Sequence, residues 1–407
     1  MSALWICNSP LFQACEIIAR VSPCARIEAR EIRLKARLVL GITLIQTVLL
    51  LAHWFIYHTL VVFWWPLNPS ATLALRTALF LLSLSFVAAT LLGFYSTNRL
   101  VTLIYRIAAV WLGLFNFFFC AACFCWLAGL MLSIFRLHFV VSQAARPLLA
   151  ATFFGLAVVT SLYGLVNARF IRIRRISIQL PGLPESWRGR TGLVLSDLHL
   201  GHVNGVSFSR RIVELAARLN PEIIFLPGDL FDGYKTDAEK LVAPFCALDP
   251  PFGSYFSTGN HDEFGNVAHY SEVLTRVGIR VLANEKVTVD GLDIAGVSDG
   301  DSNHPVRLRA TLEGLSLVLG RASILLNHVP NHLDQVEQAG ISLQISGHTH
   351  GGQIFPFTWL TRRAFGKFTY GLQSFGALQV VTSSGVGTWG PPMRVGTHPE
   401  IVLLTFE

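Results

Sequence analysis

Between residues 38 and 168 the chain makes four long excursions into almost uncharged sequence, and these fix what its first half can be. The runs are 38–65, interrupted only by His53 and His58; 72–95, with Arg76 near one end; 107–135, with no charge at all; and 148–168. A bilayer core needs about 20 apolar residues per helix, so each run qualifies as a span. Over the whole chain 52% of residues are hydrophobic and only 14% are charged. Buried helices of a large soluble domain are the alternative. They do not account for four such runs in succession with aromatic ends such as Phe63-Trp64-Trp65. The expectation is a segment 1–37, a four-helix transmembrane region 38–170 embedded in the lipid bilayer, and a second domain over 171–407.

Lys and Arg orient the spans. Arg20, Arg26, Arg30, Arg33, Lys35 and Arg37 precede the first, and residues 66–71 carry none. Arg99 and Arg106 are expected in the short connection between the second and third spans, Arg136 and Arg146 flank the next connection, and Arg169, Arg172, Arg174 and Arg175 follow the fourth. The simplest assignment puts both ends on the cytoplasmic side of the cytoplasmic (inner) membrane, with the last connection carrying the weakest contrast. The first residues lack the charged start, apolar stretch and cleavage site of a signal peptide. Residues 11–21 carry a short amphipathic pattern. Of seven cysteines only Cys246 lies beyond residue 170, so no disulfide framework is indicated. Cys120, Cys123 and Cys125 sit within the third run and read as small apolar packing residues. The formal net charge of +7 comes largely from arginines flanking the spans, which signals topology and anionic lipid more than nucleic acid. No obligate protein partner is evident.

The second half carries five short segments rich in metal ligands: Asp197-Leu198-His199, Gly228-Asp229-Leu230-Phe231-Asp232, Gly259-Asn260-His261-Asp262, Asn327-His328, and Gly347-His348-Thr349-His350. Carboxylate, imidazole and amide donors suit Mn, Fe or Zn better than Ca or Mg alone. Each segment follows an apolar run of strand length: 192–196, 222–226, 253–258, 322–326 and 341–345. Ligands would then sit in loops past the carboxyl ends of strands, where open sheets place their sites. Glycines 228, 259 and 347 would let the backbone turn sharply. Two cations about 3.5–4 Å apart stabilise both the attacking and the leaving oxygen of an in-line phosphoryl displacement. Asp229 could bridge them, and a shared water would be acidified. Asp232 or Asp262 could tie down the second nitrogen of a ligating imidazole. His261 could assist the departing oxygen.

With all five motifs intact, the chain over residues 175–407 resembles the calcineurin-like metallophosphoesterase superfamily. The stretches 347–354 and 383–394 look like its bacterial membrane-associated phosphodiesterase branch. The resemblance implies one metal held by Asp197, His199 and His350, and a second held by Asn260, His328 and His348. It implies that Asp229 bridges the two, with His261 beside the leaving group; Asp232 and Asp262 are weaker candidates for supporting roles. Two divalent ions follow, Mn first, with Fe or Zn as alternatives. Some relatives in that superfamily cleave the pyrophosphate of a nucleotide-linked acyl sugar.

Helix-like stretches at 207–219, 236–247 and 266–277, with weaker ones after His304 and at 332–338, alternate with the strands and argue for a layered α/β domain. Late strands are expected at 378–382 and 401–406. The resemblance sharpens this to a two-sheet sandwich flanked by helices (α/β or α+β), with the metals at one edge. Residues 354–370 mix aromatics with Arg362, Arg363 and Lys367, the composition of a headgroup-level segment, or else of an ordinary cap loop. The function expected is hydrolysis of a phosphodiester or pyrophosphate, on a substrate that is a lipid or lipid-linked. A catalytically silent scaffold or sensor is the alternative. Its mark would be a lost ligand or a lost His261, and neither is lost. Among the spans only Arg76, His53 and His58 are ionisable, which favours a plain anchor over a transporter.

Overall fold

The computed structural model describes residues 23–64, 67–134, 145–318 and 320–407. The pattern at 11–21, Arg20, Trp65, Pro66 and the connection carrying Arg136 lie outside these residues. The chain divides into two compact units, Met1–Val87 and Ala88–Glu407.

The four apolar runs are helices: α1 (Pro23–Phe63), α2 (Pro69–Tyr95), α3 (Arg99–Ile134) and α4 (Ala145–Asn167). Each is long and apolar enough to cross a membrane, α1 through its stretch Ala36–Phe63. Asparagines set two of the starts. Asn68 Oδ1 accepts from Ala71 N at 2.7 Å, and Asn98 Oδ1 accepts from Val101 N at 2.8 Å. Each satisfies one of the free N–H groups of a helix start. The Asn98 cap corrects one expectation. Arg99 and Arg106 do not lie in a connection but on the first turns of α3, and the connection is only residues 96–98. Charge ends an apolar run; it does not end a helix.

α3 and α4 pack along each other, with Phe118 against Phe154 and Phe124 against Phe153. Ala108, Ala109, Gly113, Ala121 and Ala122 are buried on α3, and Ala150, Ala157, Ser161 and Gly164 on α4. Small side chains let two backbones approach closely. Cys125 is buried on the same helix, and Cys120, Cys123 and Cys125 are free thiols.

The composition change near residue 170 is not a break in packing. α3 and α4 belong to the unit Ala88–Glu407 together with both sheets. Arg106 Nε donates to His202 O at 2.7 Å, and Asn116 Nδ2 donates to Phe355 O at 2.9 Å. Asn167 Nδ2 donates to Arg394 O and to Thr397 O, both at 2.9 Å.

After α4 come twelve strands: β1 (Arg172–Ile178), β2 (Thr191–Val194), β3 (Ile223–Leu226), β4 (Ser254–Phe256), β5 (Ile279–Val281), β6 (Glu285–Val289), β7 (Leu292–Gly296), β8 (Ser323–Leu326), β9 (Leu343–Ser346), β10 (Gly371–Phe375), β11 (Leu378–Thr382) and β12 (Glu400–Phe406). They form two sheets, ordered β1-β12-β2-β3-β4-β5 and β10-β11-β9-β8-β7-β6. Strands β2 to β5 are mutually parallel, as are β7, β8, β9 and β11. Alternate side chains of one strand serve two cores. On β3, Ile223 and Phe225 enter the layer between the sheets with Val194, Ile294, Ile324, Ile345 and Leu404. Ile224 and Leu226 face the other way, onto Ile212 and Val213 of the helix Val206–Leu219 and Val273 and Leu274 of the helix Val267–Arg276. The second sheet buries its outer face against Leu308, Leu312 and Val336 of the helices Pro305–Gly314 and Leu333–Gln338. This is the two-sheet sandwich flanked by helices that the sequence implied. Strands buried on both faces read as continuous apolar runs.

Candidate metal centre

The ligand segments all lie at the carboxyl ends of parallel strands. Asp197 and His199 follow β2, Asp229 and Asp232 follow β3, and Asn260 and His261 follow β4; His328 follows β8, and His348 and His350 follow β9. Five of these residues hold left-handed backbone: φ is 54° at Asp197, 46° at His199, 52° at Asp229, 65° at His348 and 48° at His350. Non-glycine residues take this region at a cost, and such outliers cluster where a site needs them.

The glycines act differently from one another. Gly228 has φ of 104° and supplies the turn expected of it. Gly259 is extended, with φ of −104°, and Gly347 is not among the positive-φ glycines. Their reason is proximity. A Cβ at Gly259 would collide with Asp229 Oδ1, and one at Gly347 with Ser196 Oγ and Asp197 Oδ2.

The structure brings the candidate ligands into one cluster, mostly buried, with Asn260, His261 and His348 partly open. Donor atoms of Asp197, His199 and His350 lie within 4.8 Å of one another, and so do those of Asp229, His328 and His348. His199 Nε2 stands 3.0 Å from His350 Nε2, and His350 Nε2 lies 3.4 Å from Asp197 Oδ1. Asp229 Oδ2 lies between the two groups, 3.1 Å from His328 Nε2 and 3.7 Å from His199 Nε2. Asn260 Oδ1 is 3.0 Å from His348 Nδ1. His199, Asp229 and His261 form a third close triad, so His261 borders the same space.

Neighbours fix the imidazoles. His328 Nδ1 donates to Pro227 O at 2.9 Å, which turns its buried Nε2 toward Asp229 Oδ2 at 3.1 Å. Asp232 Oδ1 lies 3.3 Å from His199 Nδ1 and orients that ring. Asp262 does something else. Its oxygens accept from Phe231 N and Gly259 N, both at 2.9 Å, so it ties two ligand loops together by their backbones. His261 Nδ1 donates to Asp232 O at 3.2 Å, and its backbone N–H donates to Asp229 Oδ1 at 2.9 Å.

Burial dominates the electrostatics, opposed locally by charge. It pushes Asp262 up to about 7, helped by the Asp229 charge, and His348 down to about 4, helped by His328. Burial and then Arg394 hold His350 well below its ordinary value, and burial with His199 lowers His261. For Asp229, burial works against the charge. His328 and then His199 outweigh it and keep that carboxyl far below the usual carboxylate range.

The donor set fits a pair of divalent cations. Carboxylate and imidazole donors gather in close triads, two of which share Asp229, and the buried Nε2 of His328 faces that carboxylate at 3.1 Å. An imidazole-rich set with carboxylate oxygens suits borderline ions.

Arg394 was not singled out from the sequence. It is fully buried beneath His350. It donates to His350 O at 3.0 Å, Gly385 O at 3.2 Å and Gly387 O at 2.6 Å, and lies 3.2 Å from His350 Nδ1. A guanidinium only donates, so it meets the ring's lone pair and fixes its orientation. An isolated Arg in a glycine-rich ending gives no periodic signal, and only its burial exposes the role. Residues 357–365 are a second departure. They form a helix, Phe357–Phe365, not a loop, and none of its residues is buried.

Residues 192–352 match the calcineurin-like phosphoesterase family. Over 261 residues the chain is 30% identical to a metallophosphoesterase of Aquifex aeolicus, covering 62% of this chain and 98% of that protein. The chain belongs to the calcineurin-like metallophosphoesterase family. It is also 33% identical over 267 residues to a transmembrane protein with a metallophosphoesterase domain from Danio rerio. That similarity covers 61% of this chain, and the chain spans 60% of the relative's own length. A crystal structure of a dimetal phosphatase from Danio rerio covers 54% of this chain and 100% of its own, with 13% identity and a TM-score of 0.36. With four helices able to cross a bilayer and a transmembrane relative, this metallophosphoesterase is membrane-associated.

Proposed function

We propose that the chain is a membrane-anchored hydrolase that uses two divalent ions, Mn²⁺ first among them, to cleave a phosphodiester or pyrophosphate of a lipid or lipid-linked substrate. The observation that carries this reading is the position of Asp229 Oδ2, between His328 Nε2 at 3.1 Å and His199 Nε2 at 3.7 Å. When bound, two such ions lower the pKa of water and neutralise phosphoryl oxygens. The chain's own residues do the rest. Asp197, His199 and His350 would hold one ion, and Asn260, His328 and His348 the other, with Asp229 shared. Asp232 keeps His199 in place. His261, anchored through Nδ1 on Asp232 O, presents its other nitrogen to a leaving oxygen. The arginine pattern around the spans favours the cytoplasmic side.

The test uses purified full-length protein with a diester, a monoester and lipid-linked pyrophosphates. Chelation should abolish hydrolysis and Mn²⁺ should restore it. Asp229→Asn should lose activity more completely than Asp232→Asn. Losing an orienting partner costs about 10–100-fold, whereas losing the shared carboxylate disables both sites. Full activity in chelator, or in Asp229→Asn, would remove the two-metal reading.

A further inference from the structure

His199, Asp229, Asn260, His261, His348 and His350 line a cavity of about 660 Å³. The apolar part of its lining, its apolar limb, is formed by Leu112 and Phe115 of α3 and by Ile354, Phe357, Pro391 and Trp389, the last 5.7 Å from the His261 ring. Cavities of this size take most of a small ligand's surface out of water. One wall of this cavity is a helix able to cross a membrane.

α3 is longer than a bilayer needs. Its 36 residues extend about 54 Å at 1.5 Å per residue, whereas a hydrocarbon core of about 30 Å needs only about 20 residues. Its first turns lie against the hydrolase, with Tyr105 and Arg106 bonding to Tyr234 and His202, and its uncharged run starts at Ile107. Leu112 and Phe115 therefore lie in the first turns of that run, on the side of the hydrolase. The helix Phe357–Phe365 closes the same cavity, with Phe357, Trp359 and Leu360 exposed and Arg362 and Arg363 in its last turn. Exposed aromatic and aliphatic residues beside arginines are the composition of a segment lying in a headgroup layer.

We propose that the apolar limb is a site for one hydrocarbon chain, which enters sideways from the bilayer along α3 and places its phosphoryl group at the metal centre. The substrate is then a membrane-resident amphiphile. This rests on the hydrolase reading above and adds where the chain of the substrate goes.

The experiment uses full-length protein in nanodiscs with Mn²⁺ and a series of nitrophenyl alkyl phosphodiesters from methyl to dodecyl. The leaving group is constant, so only the chain varies. In the unmodified protein kcat/KM should rise by about fourfold per buried methylene until the limb is full. Partitioning into the nanodisc also rises with chain length, so the decisive comparison is with wall variants. Phe115→Ser, Leu112→Gln and Phe357→Ser should each lose most of that slope. Phe357 is half exposed, so its variant should fold even if the other two do not. An equal slope in the unmodified protein and in Phe357→Ser and any other folded variant would mean partitioning alone and would overturn the proposal. Metal-dependent turnover of the methyl ester with no chain-length effect would also overturn it, while leaving the hydrolase reading in place. No metal-dependent turnover of any ester would remove the phosphodiester arm of the hydrolase reading and overturn this proposal with it.

Discussion

Replacing Asn167 by leucine probes whether α4 merely anchors the hydrolase or helps to build its metal centre. The Asn167 side chain is buried at the last turn of α4. It donates to Arg394 O and Thr397 O, and its Oδ1 lies 2.8 Å from His398 Nδ1. These contacts pin residues 394–398, the strap from which the Arg394 guanidinium reaches His350. Leucine fills a similar volume but abandons two carbonyls, at about 1–3 kcal/mol each, or roughly 2–6 kcal/mol together. A domain of this size shifts its Tm by about 2–4 °C per kcal/mol, so Tm should fall by roughly 4–24 °C. Freeing the strap should also loosen Arg394 from His350. Losing an orienting partner costs about 10–100-fold in metal affinity, and the Mn²⁺ concentration for half-maximal activity should rise in that range. The assay is a thermal melt and a Mn²⁺ titration in the same nanodisc preparation. An unchanged Tm with an unchanged Mn²⁺ requirement would refute the coupling. A lower Tm alone would reduce Asn167 to a packing role.

Two further predictions concern chemistry and topology. His261→Ala should lower kcat by about 10²–10⁴-fold with the unmodified protein's metal content, and the loss should shrink for a nitrophenyl leaving group; loss of one ion on metal analysis would make His261 a ligand instead. A reporter active only in the cytoplasm, fused after Glu407, should be on, and one active only outside should be silent; the reverse would overturn the cytoplasmic placement and leave the metal chemistry untouched.

The candidate metal centre was legible because each candidate ligand follows a doubly buried strand, where sequence shows an apolar run stopped by a polar cluster. Asp197 after β2 and His348 after β9 are visible in that way. What joins the ligands to each other was not. Asp232 and Asp262 stand in similar motifs, yet one orients an imidazole and the other holds backbone amides. Only their distances separate the two roles. Strands β5, β6, β7 and β10 escaped notice for a different reason. β5, β6 and β10 are short or carry exposed residues, so no unbroken apolar run marks them. The β6–β7 pair did have a local signature in Asp290-Gly291, with φ of 46° and 80°. Consecutive positive φ values are what a two-residue hairpin turn requires.

The spans show what composition leaves out. Few ionisable residues in four apolar helices argue for an anchor, because transport needs charge within the membrane. Yet α3 and α4 are tied to the hydrolase by neutral and peripheral groups: Asn116 to Phe355, Asn167 to the strap under His350, and Arg106 to His202. Gly113 and Gly164 let Met393 and Val395 come close to the helix axes; a Cβ at Gly113 would stand 2.5 Å from Met393 Sδ, and one at Gly164 2.7 Å from Val395 Cγ2. Helix and hydrolase thus share one packed interior, and the wall that α3 gives to the catalytic cavity follows from that packing. An anchor needs only hydrophobic length. Glycines and amides placed at these contacts are the features of a helix that also shapes the site.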